Sequence, residues 1–387
     1  MNALPSFRSP ASGSRSTSLF SSGPLLLATA LVLSTGVPLA GQRTSGTISG
    51  GNGTFYTGTY TDQIQVIDER TLSVVDQIQT QNGITGDWVV SANRERIYIA
   101  DATFLHIETI DLAERRSIDT FTLSEGDDWF RIESFAVDPQ ETYALILGKS
   151  RIKHLDRFEI GPSVILRYDL RNHEVMDTIP WPGGHERERA RFMFSPDGSL
   201  VYFSAEDMIV LESENFTEVA RWEISEDLEP GLGQVSPSFN ASFYEEPGFF
   251  TGLVRITDPV NQRRMMGVAR VDLAERDIDF YTLGPDASVR RFALAPGGEK
   301  AWALYSEVGH YEFWEIDLEE RRVVRREVFE GRPRMGLIAS TNGELLYVHV
   351  AGNTIDVYDS ETYELLQTVD VGGDMKGFVL LPGPDAP

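Results

Sequence analysis

No cysteine occurs among the 387 residues. Disulfides, Cys-ligated zinc, thiol catalysis and Cys-linked haem are therefore excluded. An exported chain built this way must be held by its core and its topology, which suits a bacterial periplasm better than a eukaryotic extracellular space. Positive charge is also scarce. Lys and Arg number 34 against 59 Asp and Glu, a formal net charge of −25, and that sign disfavours nucleic acid as a partner. A basic protein or a cationic small molecule remains compatible with it, and so does a plain self-repelling surface. After the first forty residues no run is apolar enough to cross a bilayer. Motifs of common chemistry are missing too. No Gly-rich phosphate loop opens a helix, and no Gly-x-Ser-x-Gly elbow occurs. The six histidines (106, 154, 173, 185, 310, 349) are scattered without metal-ligand spacing, so no metal site is expected. Acids are too numerous for any pair to stand out as a catalytic dyad.

What is present begins with an export signal. Residues 1–40 carry Arg8 and Arg15, no acid, an apolar run from Leu25 to Leu33, and then Pro38-Leu39-Ala40. Charged, apolar and small-residue regions in that order read as a cleavable signal peptide. An uncleaved anchor is the alternative, but the run is short for a span. Residues 41–53 are rich in Gly, Ser and Thr and read as a flexible linker. The expected location is periplasmic or secreted, with no membrane span after cleavage.

The remainder repeats. Seven apolar segments end in an acid: Ile67-Asp68, Ile110-Asp111, Tyr168-Asp169, Leu211-Glu212, Val271-Asp272, Ile316-Asp317 and Tyr358-Asp359. Their spacings of 43, 58, 43, 60, 45 and 42 residues mostly match a four-stranded propeller blade. A polar turn and a period-two strand follow each anchor, as in 71–78 and 364–371. Between anchors lie tight turns: Ser195-Pro196-Asp197-Gly198, Ala295-Pro296-Gly297-Gly298, Ser340-Thr341-Asn342-Gly343 and, less regularly, Asp138-Pro139-Gln140-Glu141. Residues 377–382 read as an innermost strand with no blade after it. Residues 54–60 read as a second strand with none before it. Joined, the two complete one blade and close the ring. The expectation is an all-β, seven-bladed propeller over 54–383. The stretch 234–244 marks its blade poorly, so six or eight blades remain the competing counts.

Such a topology sorts the loops. Connections entering the innermost strand, and those joining strands two and three, share one face. The two long insertions, roughly 149–163 and 244–266, are placed between strands two and three and so on that face, which reads as the binding side. Cations gather there: Arg131, Arg189, Arg191, Arg290, Arg291, Arg334 and Lys376 stand at or just before innermost strands. They read either as an anion-binding or docking ring or as ion-pair partners of Asp127, Asp128, Glu133, Glu186 and Glu188. Trp88, Trp129 and His185 are further candidates for the channel mouth. Phe249 and Phe250 are candidate exposed aromatics for docking a partner.

Three stretches carry a family likeness. One is the insertion from Ile152 to Pro162 leading to Leu166-Arg167-Tyr168-Asp169. Another is Pro247-Gly248-Phe249-Phe250-Thr251 with Asp258-Pro259. The third runs from Phe292 to Asp317 and includes Ala301-Trp302-Ala303-Leu304-Tyr305. On these the chain resembles the β (propeller) subunit of quinohemoprotein amine dehydrogenase, more remotely the methylamine dehydrogenase heavy chain, and more widely the YVTN-type repeat propellers. The resemblance implies a chain without a cofactor of its own. It would wall an amine pocket beside a quinone-bearing companion subunit and a haem-bearing one. A stand-alone binding propeller and a metal-dependent propeller hydrolase or lactonase are the other readings.

Overall fold

All seven acid-terminated segments end the third strand of a four-stranded antiparallel sheet. The computed structural model describes residues 48–383 except 188–189, 206, 225–232, 241 and 288. The signal, and the linker up to 47, lie outside the described residues. Blade 1 combines Thr54–Gly58, Gln63–Asp68 and Ser73–Gln79 with Val379–Leu381 from the other end of the chain. Blades 2 to 7 follow in order over 85–122, 128–179, 191–222, 235–285, 291–331 and 334–370. The chain is a seven-bladed β-propeller. Its closure is the expected one: Thr54, Phe55 and Tyr56 pair antiparallel with Leu381, Leu380 and Val379.

The anchors have a local cause. Six aspartates turn a carboxylate oxygen back onto backbone N–H groups two or three residues on, as Asp169 does for Arg171 and Asn172, both at 2.8 Å. Glu212 instead accepts the side-chain amide of Asn215. Four residues after every anchor comes a left-handed residue: Leu72, Arg115, His173, Phe216, Arg276, Arg321 and Tyr363, with φ from 50° to 63°. None is glycine, although this conformation costs an L-residue about 1 kcal/mol. Their side chains are the reason. They reach the preceding blade, as in Arg115 to Asp76 (3.3 Å), His173 to Asp119 (2.8 Å), Arg321 to Asp279 (2.7 Å) and Tyr363 under the Arg325 guanidinium (4.1 Å). The position therefore accepts strain in exchange for a staple between blades. Arg276 is exposed and reaches blade 4 only through its charge near Tyr202, a weak interaction at a solvated site, whereas Leu72 is buried. Arg276→Gly should accordingly stabilise by up to about 1 kcal/mol, through relief of strain. Leu72→Gly should destabilise by about 2 kcal/mol, because lost burial exceeds that relief. Urea midpoints of the two variants check the opposite signs.

The second landmark turns join strands one and two, with Gly198, Gly298 and Gly343 all at φ 75°. A fifth such turn, Ser91 to Arg94, has no Pro or Gly; Arg94 takes φ 58° there and closes it from its N–H to the Ser91 carbonyl at 2.9 Å. Blade 5 alone among blades 2 to 7 replaces this turn by a long loop, 237–248. We call the face carrying these turns and the anchors the lower face, and the opposite one the upper face.

The insertions separate. In blade 3, Tyr143–Lys153 and Phe158–Asp169 form a long hairpin between strands two and three, on the upper face as expected. In blade 5 the extra length is divided. Strands Phe249–Asp258 and Arg263–Asp272 put their connection on the upper face, whereas 244–248 belong to the lower-face loop. One insertion read from the sequence is thus two, on opposite faces. That same loop explains why 234–244 marks its blade poorly: the innermost strand there is only Val235–Ser236.

Candidate functional site

The innermost strands surround a channel, and three neighbouring cavities share its walls. The largest, about 1070 Å³, is bordered by Arg131, Arg151, Arg191 and Arg255, with Asp87 and Glu133 the acids present. A second, of about 450 Å³, is bordered by Arg255, Arg290, Arg291 and Arg334 and by no acid. Arg255 belongs to both. A third, of about 270 Å³, shares Arg290 and Arg291 with the second and Leu253 with the first. Most of these arginines stand where innermost strands begin; Arg151 and Arg255 come from the second strands of blades 3 and 5. All of them therefore gather toward the upper face.

Their partners are few. Glu133 pairs with Lys149 at 3.0 Å. Glu186 accepts the Ser163 N–H at 2.8 Å where the blade 3 hairpin bulges. Arg334 pairs with Asp356 at 2.7 Å, and Arg255 with Asp286 at 3.5 Å. Among the described residues, Arg131, Arg151, Arg191, Arg290 and Arg291 have no ion pair within 4.0 Å. Arg131 instead lies over the Phe104 ring at 5.0 Å, and Arg291 donates Nε–H to the Met335 carbonyl at 2.7 Å. The buried Nε–H of Arg151 has no hydrogen-bond partner. Arg334 thus has an ion-pair partner, Asp356 and not one of the acids expected, whereas among the described residues Arg131, Arg191, Arg290 and Arg291 have none. Arg189 and Glu188 lie outside the described residues.

A neutral imidazole backs the ring. His349 is packed edge-on to Phe378 at 5.2 Å. Burial, with Arg291 adding to it, holds its pKa below the ordinary value. Gly336 makes room for it, since a Cβ there would come within 2.2 Å of Nε2.

The other sequence candidates lie elsewhere. Trp88, half-buried, packs against the core between blades 1 and 2, its indole edge near Gly377, where a Cβ would stand 2.7 Å from Nε1. Lys376 serves through its backbone, accepting from the Thr85 hydroxyl at 3.1 Å and donating to the Gly58 carbonyl at 2.7 Å. Trp129 pairs with Phe158 at 5.8 Å at the blade 3 hairpin. His185 is exposed in the connection from blade 3 to blade 4 and borders none of the three cavities. Phe250 is buried in the core between blades 4 and 5, and Phe249 is covered by Arg270 at 4.3 Å. Both begin a second strand, which puts them at the lower face and not in an exposed docking patch. Sequence reasoning missed Arg151, Arg255 and His349. The first two lie within the insertions, where spacing gives no register, and His349 looks like one scattered histidine.

The loop of blade 5 crosses the lower end of the channel. Tyr244 donates its hydroxyl to the Ala339 carbonyl of blade 7 at 2.9 Å. Phe243 joins the core cluster of blades 1 and 2, with the Arg94 guanidinium at 5.1 Å from its ring. A segment rooted in blade 5 that touches blades 7 and 2 has to span the opening. The site is consequently bordered by this loop on its lower side.

No helix among the described residues is long and apolar enough to cross a membrane. Among them no cluster of three or more His, Cys, Asp or Glu side chains could hold a metal ion.

No family model and no curated protein matches the sequence. Solved structures do. The chain is similar to the dihydro-heme d1 dehydrogenase NirN solved in complex with DHE (TM-score 0.51, 12% identity, 88% of this chain and 78% of that one). It is similar to a protein from Desulfotomaculum acetoxidans described as functionally unknown (TM-score 0.51, 11% identity, 86% of this chain and 99% of that one). Kuenenia stuttgartiensis hydrazine synthase matches at a TM-score of 0.49 with 13% identity, over 85% of this chain and 99% of that one. At these identities the likeness is one of fold, and the fold shared is the β-propeller.

Proposed function

We propose that this chain is an exported, stand-alone binding propeller that holds a small anionic ligand in the upper mouth of its channel. One observation carries the reading: five arginines with no carboxylate partner among the described residues border neighbouring cavities in a chain where acids outnumber bases by 25. In so acidic a protein, leaving guanidinium groups unpaired around a concave space creates a local positive potential. Their planar forks suit carboxylate or phosphate oxygens.

Citrate is a suitable probe. At 10 mM it should raise the thermal midpoint above that in sodium chloride of equal ionic strength, because a ligand that binds only the folded state stabilises it. The double variant Arg191→Ala/Arg290→Ala should lose that rise. Equal midpoints in citrate and chloride would overturn the reading.

A second reading has its own support. The blade 3 hairpin carries Leu155, Phe158 and Ile160 fully or mostly exposed beside Trp129. An apolar tip of this kind fits a docking subunit. That favours a cofactor-free scaffold in an amine-oxidising complex, with quinone-bearing and haem-bearing companions. Tagged protein recovered with a chain positive for quinone staining would support it; a monomer recovered alone would not. Phe249 and Phe250 lend it nothing.

A further inference from the structure

Below the arginines the channel changes character. The 270 Å³ chamber has Arg290 and Arg291 on its wall, and its other walls include Leu253, Phe292, Ile338 and Phe378 from four different blades. Phe243 and Tyr244 of the crossing loop also border it, and Tyr244 is fixed there by its bond to Ala339. At roughly 30 Å³ per molecule the chamber equals about nine waters of liquid. Ser238, Asn240, Ser242 and Thr251 give the chamber a polar side as well, so it is along the Leu253, Phe292, Ile338 and Phe378 wall that water lacks partners and an apolar group should displace it favourably.

We propose that the site selects amphipathic anions. A carboxylate lies at Arg290 and Arg291, and a flat apolar body of about one or two fused rings fills the chamber beneath. This rests on the reading of the channel mouth as an anion site. It adds the body of the ligand to the charge of its head. Two features argue for it over a compact polyanion. Both arginines border the apolar chamber as well as the cavity above, so a head group held by them has hydrocarbon walls directly adjoining. The chamber is also bordered by the aromatic pair Phe243 and Tyr244 of the crossing loop. A compact hydrophilic ion would leave its apolar wall uncovered.

Titration calorimetry with three probes tests this. 2-Naphthoate has head and body, acetate has the head alone, and 2-naphthalenemethanol has the body with a neutral head. 2-Naphthoate should bind at least about tenfold more tightly than either of the others. Ile338→Trp, which fills the chamber, should lower the ratio of 2-naphthoate to citrate affinity about tenfold in protein whose unfolding remains cooperative. If citrate binds but 2-naphthoate binds no better than acetate, the chamber proposal is overturned and the anion site stands. If Ile338→Trp weakens citrate and 2-naphthoate equally, the proposal is likewise overturned. Should none of the anions bind, both fall together.

Discussion

Ending the chain at Lys376 is expected to abolish cooperative folding. The truncation removes Val379–Leu381, the innermost strand of blade 1, and exposes the edge from Thr54 to Tyr56 that it covers. Leu380 and Leu381 are buried, and Phe378 stacks on Phe55 at 5.3 Å. Burial of each of these side chains is worth about 1.5–3 kcal/mol. Their sum, with the ladder bonds lost, is comparable to the 5–15 kcal/mol that holds a typical domain folded. The effect extends beyond one blade, because the lost segment leaves Thr54–Tyr56 as an unpaired edge and also packs against blade 7, where Phe378 meets His349 at 5.2 Å. The truncated chain should show no sharp urea transition and should run as aggregate on gel filtration. A peptide of residues 374–383 added in trans should restore part of the transition. A truncated chain with the full-length urea midpoint would remove closure as the source of stability.

That seam was readable because it depends on pairing rules alone. A terminal strand with no blade, and another with no inner neighbour, can satisfy their edges only on each other. The blade count was readable for a related reason. A turn anchored by a carboxylate must recur wherever a third strand ends, and it did so seven times. The left-handed residue four positions later was equally regular but invisible, since the position takes Leu, Arg, His, Phe or Tyr. Only the contact with the preceding blade explains the choice. Register inside the insertions was not readable, so 244–266 was placed on one face when it serves both. The aromatic pair Phe249-Phe250 shows the same limit. Their composition matches a docking patch, but a lower-face start to the second strand buries one ring and covers the other. For the mouth, the innermost-strand arginines were found by position, and their freedom from ion pairs only by geometry.

The residue after each anchor carries a further consequence. It is Leu112, Leu170, Leu273 and Leu318 in four blades and Ser213 and Ser360 in two, but Glu69 in blade 1. Here the segment 50–53 lies against blade 7, with Gly50 accepting from the Asn342 N–H at 2.9 Å. Glu69, fully buried, accepts from Gly53 N–H (2.7 Å), Thr341 N–H (2.9 Å), the Tyr347 hydroxyl (3.0 Å) and the Thr341 hydroxyl. One carboxylate thus ties the first residues of the ring to the last blade. Glu69→Ala orphans all four donors and should cost about 3–5 kcal/mol, at roughly 1–3 kcal/mol for each donor that water does not reclaim. Glu69→Gln keeps one oxygen and should cost about 1–3 kcal/mol.

The pH dependence of this site runs opposite to that of Asp101. Burial raises the Glu69 pKa above its ordinary 4.5, and the four donors oppose that shift without reversing it. The folded state therefore holds the proton more tightly than the unfolded chain does. Its contribution is full below pH 4.5 and declines as pH rises from there through the folded value. Asp101, whose pKa is lowered, contributes with the opposite slope. The stability difference between wild type and Glu69→Gln should accordingly be largest near pH 4 and shrink toward pH 8, in paired urea titrations that cancel the other groups. A difference that instead widens with pH would mean that the clasp holds an ionised carboxylate whose folded pKa lies below the unfolded one.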